Sequence, residues 1–189
     1  MPLILNTPPV MEPVSLAEAK AHLRVTHADD DAYITSLVVG ARRAVEARTG
    51  LALIDQGWSQ WLDRWPDCAA ASLSLAPVST ITDILVYGED GTPATYDAAH
   101  YYLDAASKPG RAVIRPGRLP PLAGRRVNGI EVRFTAGFGA LPAAVPQDLK
   151  QALLLLVAHW FENRGDGGAA SLPLPAAEIL SRHRIARLS

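Results

Sequence analysis

The stretch from Pro146 to Arg164, PQDLKQALLLLVAHWFENR, limits what this chain can fold into more than any other. Pro146 suits the first helical position, where its missing N–H is no loss. Asp148 in the first turn and Arg164 in the last match the helix dipole, and Gly165 can end the helix. Leu149, Leu153, Leu156 and Trp160 recur at helical spacing, with Leu154, Val157 and Phe161 beside them. Ala152 to Ala158 is an unbroken apolar run, so the middle turns are apolar on every side. A helix of that kind is packed on two sides. Since a bilayer span needs roughly 20 apolar residues, protein must bury this one, in part a second copy of the chain.

The rest of the chain is organised on either side of this helix. Residues 1–14 read as an extended arm, proline-rich but with the apolar cluster Leu3, Ile4 and Leu5. Ser15 and Glu18 have capping-box spacing and open a short helix, SLAEAKAHLRV. One of Asp29, Asp30 and Asp31 is expected to cap a second helix that ends at Gly50. Its core side is Ile34, Leu37, Val38, Ala41 and Val45, with Arg42, Arg43 and Glu46 expected outward. Arg42 and Glu46, four apart, can pair.

After Gly50 the pattern becomes short β-branched and aromatic runs between turn formers. Strands are expected at Trp58–Asp63, Thr80–Tyr87, His100–Asp104, Arg111–Arg115 and Ile130–Ala136. Glu89-Asp90-Gly91-Thr92 forms a hairpin turn. The fold class is therefore α+β: a core of about three helices (15–50 and 146–164), an inserted small β module (51–139) and a tethered C-terminal helix. Residues 165–175, rich in glycine and small residues, form a flexible linker. The last helix, residues 176–189, has apolar residues Ile179, Leu180, Ile185 and Leu188 among Arg182, Arg184 and Arg187. It is too short to stand alone in water and needs a partner surface.

Signs of chemistry are few. A formal net charge of −1 disfavours a dedicated nucleic-acid binder, although the last eight residues hold three arginines and no acid. The lone Cys68 leaves no internal disulfide and has no basic neighbour to activate it. The N-terminus lacks the basic and apolar regions of a signal peptide. His22, His27 and the acids 29–31 match no metal-ligand spacing, and their simpler reading is a polar linker with a helix cap. His159 could be a general base, but a hydrogen-bonded histidine at a packing interface fits its helix better. Trp58, Trp61 and Trp65 could stack bases or anchor an interface, or simply pack within a strand and its turn. The basic C-terminal helix could meet phosphate, but its apolar residues and tether favour a protein groove. No catalytic residue, cofactor site or metal site is expected.

Two blocks carry a family resemblance. PVSLAEAKAHLRV followed by DDDAYITSLVVGARRAVEARTGLALI, and then PQDLKQALLLLVAHWFENR, resemble the head-to-tail connector (adaptor) proteins of long-tailed bacteriophages and gene transfer agents. The resemblance covers the helical part of residues 13–164; the β module resembles that of the longer members. It implies a structural, non-enzymatic protein of the virion or gene transfer agent particle, made in the bacterial cytoplasm. It further implies a ring of copies, usually twelve, beneath the portal. Such a ring extends the DNA channel, without sequence recognition, and offers a platform to the stopper. In this family the C-terminal segment reaches the portal. On this chain that segment carries Ile179, Leu180, Arg182, Arg184, Ile185, Arg187 and Leu188. Packing between copies is expected at Arg42, Arg43, Leu154, Leu155, His159 and Phe161. No membrane or small-molecule partner is expected. The alternative is a DNA-packaging or nucleic-acid-binding accessory protein of another class.

Overall fold

The computed structural model describes residues 2–164 and 172–185. The fold is α+β: the described residues form four α-helices and eight strands in two antiparallel sheets. It divides into two compact units: the chain up to Pro8 joins Asp55–Phe138, and Pro9–Ile54 joins the chain from Gly139 onward.

The second unit is helical. In α1 (Leu16–Leu23) the Ser15 hydroxyl accepts from the Glu18 N–H, and the Glu18 carboxylate accepts from the Ser15 N–H at 2.8 Å. That is the expected capping box. The Ser15 N–H, then Lys150 at 3.0 Å, holds the Glu18 carboxyl below its usual range. Next comes α2 (Asp31–Thr49), closed by Gly50 in the left-handed conformation at φ 77°. The expected acidic cap is absent: Asp30 occupies the N-cap position but its side chain makes no capping bond. The acids are drawn to cations instead, Asp31 to Lys20 at 2.5 Å and Asp30 to Arg164 at 2.9 Å. Ile34, Val38, Ala41 and Val45 are buried, as their spacing predicts.

Arg42 is a correction. Expected outward, it is 5% exposed, held by Glu12 at 2.7 Å and Glu46 at 2.8 Å. Helical spacing places Arg42 one turn from Val38, on the flank of the core stripe. There two carboxylates satisfy the fork of its guanidinium, and burial becomes tolerable. Only half of this was readable: the Glu46 pair follows from spacing, whereas Glu12 lies 30 residues away.

The central helix α3 (Gln147–Glu162) buries Leu149, Ala152, Leu153, Leu156 and Val157. Pro146 is its N-cap rather than its first residue. The helix ends at Glu162, short of Arg164, with Asn163 as its C-cap; the Asn163 backbone N–H and side-chain amide both donate to the His159 carbonyl, at 3.1 and 2.8 Å. The last helix, α4 (Leu174–His183), starts two residues before the expected Ala176. Pro173 caps it, and Pro175 sits in its first turn, where no N–H is needed. It packs on α3 and α2 through Ala176 and Leu180, both buried.

In the other unit, β1 (Leu3–Thr7), β2 (Gln56–Leu62), β4 (Val78–Tyr87), β5 (Pro93–Thr95) and β8 (Ile130–Ala136) form one sheet in the order β1-β2-β8-β4-β5. Strands β3 (Ala70–Ser72), β7 (Arg111–Ile114) and β6 (Tyr101–Asp104) form a second. All five expected strands are present within a residue or two. The N-terminal arm adds a strand, pairing antiparallel with β2 from Leu3 opposite Gln60 to Thr7 opposite Gly57. Ile130, Val132, Phe134 and Ala136 alternate into the core. A Cβ on Gly137 would lie 2.4 Å from the Asp55 backbone nitrogen, so the chain leaves β8 through a position only glycine fills.

Candidate interaction surfaces

The polar constellation nearest to chemistry lies across the large sheet. Asn6 donates to Ser59 at 2.6 Å, Ser59 to Glu131 at 2.5 Å, and Tyr87 to Glu131 at 2.8 Å. Arg133 sits 2.9 Å from the same carboxylate. Burial pushes the Glu131 carboxyl up, but the bonds from Arg133, Ser59 and Tyr87 outweigh it and hold it below the usual range. An ionised Glu131 is acceptor-only, and no histidine stands beside Ser59 to make it a nucleophile. The network ties four strands together and fixes their register. Sequence gives no sign of it, because an acid in an alternating strand reads as solvent-facing.

Of the three clustered tryptophans, Trp58 and Trp61 lie on β2, both half-buried, and Trp65 follows it. Trp65 is buried, and Trp61 lies tilted on Tyr87 at 5.2 Å, with the Arg125 guanidinium over both rings. Of the histidines and acids singled out by sequence, His27 lies 3.6 Å from Asp29. Among the described residues no group of three or more His, Cys, Asp or Glu could hold a metal ion. Cys68 is exposed and its thiol donates to the Ala70 carbonyl.

The residues expected to meet partners lie on two surfaces of the helical unit. On α3, Leu154, Leu155, His159 and Phe161 are half-buried, outside the core stripe. Phe161 meets Tyr33 at 6.2 Å, and the Arg164 guanidinium lies over both rings at 4.3 and 4.4 Å. His159 Nδ1 is 3.3 Å from the Asn163 amide, while its Nε2 is buried without a hydrogen-bond partner among the described residues. Arg43 is exposed near the middle of α2; Arg42 is engaged inside the unit.

The second surface is α4. Arg182 and Arg184 are exposed and Ile179 and Ile185 half-buried, whereas Leu180 is inside the unit. The Ile185 N–H donates to the Thr49 carbonyl at 2.9 Å, and His183 holds Asp148 at 2.6 Å. That contact, first among its causes, lowers the Asp148 carboxyl below its usual range. Arg187 and Leu188 lie outside the described residues, as does most of the linker. No described helix is long and apolar enough to cross a membrane.

Among the described residues, half-buried apolar side chains of α3 and exposed arginines of α4 lie at the surface of the helical unit. The head completion protein family matches residues 13–171, and the chain belongs to that family. It is thus a structural protein of a phage-like particle. Among solved structures it is 32% identical, with a TM-score of 0.84, to a chain in the neck of an empty GTA particle computed with C6 symmetry; the match covers 100% of this chain and 98% of that one. A chain in the virion of a native gene transfer agent (GTA) particle is 33% identical, with the same TM-score and coverage. A chain in the neck of a native GTA particle computed with C12 symmetry is 33% identical at a TM-score of 0.77, over 98% of this chain and 97% of that one. No curated protein matches.

Proposed function

We propose that this protein is a head–tail connector of the neck. It forms a ring of about twelve copies beneath the portal, extends the DNA channel without reading sequence, and joins the DNA-filled head to the stopper and tail. The observation that carries this is likeness along the whole chain to neck chains of GTA particles, including one computed with C12 symmetry. The half-buried face of α3, with Leu154, Leu155, His159 and Phe161, is the surface where neighbouring copies pack. Arg43 lies on α2, and Arg42 supports that helix from within. The C-terminal helix is the portal-directed element, with Arg182 and Arg184 facing out beside Ile179 and Ile185. Residues 15–164 act as the connector domain, and the segment after Arg164 as the tether. No side chain performs chemistry.

The docked position of α4 changes how the anchor should be tested. Deleting residues 174–189 would also uncover the surface that Ala176 and Leu180 seal, so loss of attachment could reflect loss of folding. The exposed pair provides a cleaner variant: Arg182→Glu with Arg184→Glu. Light scattering of the protein mixed with purified portal tests both steps. A ring-sized assembly on the portal is expected with the natural chain, and a weakened one with the double variant at an unchanged urea midpoint. A chain that stays single with and without portal contradicts the connector reading. A DNA-packaging factor would instead bind DNA alone with a steep salt dependence.

A further inference from the structure

The connection between β7 and β8 displays the most exposed apolar side chains of the β unit. Leu119 is 85%, Leu122 92% and Val127 66% exposed. The loop is nevertheless held in place. The Tyr96 hydroxyl donates to the Leu119 carbonyl at 2.5 Å, and the Gly124 N–H donates to the Tyr87 carbonyl at 2.9 Å. Arg125 stacks on Tyr87 and Trp61 and donates to the Asn128 carbonyl, and the Asn128 N–H reaches Asp63 at 2.9 Å. These side chains are therefore presented on a fixed support, which lowers the ordering cost of binding. A groove of about 540 Å³ runs beside them along β5, lined by Val86, Ala94, Tyr96 and Arg118.

Charge in this unit is segregated along the chain. Residues 105–130 hold six cations and no acid, while residues 55–104 hold eight acids and one cation. Asp104 pairs with Arg111 at 2.7 Å, but Arg118 and Arg126 form no ion pair among the described residues. Asp67, Glu89 and Asp97 are exposed on the acidic stretch. Asp97 and Glu89 lie near the loop in the same copy, yet neither pairs with Arg118 or Arg126 among the described residues, which leaves both arginines open to exposed acids of a second copy. A contact between different patches of identical copies is heterologous, the kind that closes a ring. A phosphate backbone would satisfy the arginines but give the two exposed leucines nothing to pack on.

We propose that this loop is a subunit–subunit contact: Leu119 and Leu122 seat on the β unit of the neighbouring copy, with Arg118 and Arg126 facing its acidic stretch, residues 55–104. This rests on the ring reading above and adds a second contact to it, apart from α3. The test places a benzophenone maleimide on Leu122→Cys in a Cys68→Ser background, in rings assembled on the portal, and irradiates it. Crosslinks joining two copies of this chain, with the attachment in residues 55–104, are expected. In parallel, Arg118→Glu with Arg126→Glu should weaken ring assembly at least tenfold while leaving the circular dichroism spectrum unchanged. Adducts to DNA or to another neck protein, or no crosslink in a ring that has formed, would overturn the loop contact and leave the connector reading standing. If the natural chain forms no ring at all, both fall.

Discussion

At the scale of the residue, Arg42 shows how a short-range pattern is completed by a distant one. Removing it leaves the Glu46 and Glu12 carboxylates facing each other in a largely desolvated site. Loss of one partner from a buried ion pair costs about 3–5 kcal/mol. Arg42→Ala should therefore lower stability by about that much in urea unfolding, against less than about 1 kcal/mol for Arg43→Ala on the exposed side. Asp104 supplies a pH test. Bonds from Ser107 and then Arg111 hold its carboxyl down to about 2. A depressed folded value contributes stability above the unfolded value of about 3.9 and loses it as pH falls towards 2. Asp104→Asn should flatten the stability profile across that window, measured as the urea midpoint from pH 5 to 2. Capping box, helix end and core positions were legible because each depends on neighbours within four residues. Glu12 against Arg42, and Ser59 and Tyr87 against Glu131, were not, because those pairs are closed by the tertiary fold.

At the scale of the element, α3 is the helix the sequence announces. Its apolar run places Leu149, Leu153 and Leu156 at zero exposure and leaves Leu154 and Leu155 half-buried. The run has more apolar surface than the core of this unit takes up, and that surplus is what the proposed ring contact would cover. Leu156→Ala should cost about 2–5 kcal/mol by opening a cavity. Leu155→Ala should cost less in the single chain and more in the assembled ring, a contrast readable by comparing urea midpoints with assembly. Strands β3 and β5 were not legible, each being three residues long with no alternating run to mark it. The arm's strand β1 was masked by the prolines on either side of it and by its terminal position.

At the scale of the whole molecule, the proposed role rests on the surfaces that the two units present. The helical unit contributes a buried stripe and an outward face. The β unit presents a fixed loop with opposite charge on either side of residue 104. Membership of the head completion family and likeness to neck chains give these surfaces an assembly to belong to. In the proposed ring each copy would be held by two neighbours and by the portal at once, which multiplies modest contacts. Single exposed-charge variants should therefore leave assembly nearly intact, while combined ones weaken it strongly.

The most direct test of the central claim is electron microscopy of particles made without this chain. The account predicts heads that are filled with DNA or losing it, with no tail attached, and recovery of tails when the natural chain is supplied. Complete particles with tails joined at the normal frequency would contradict it.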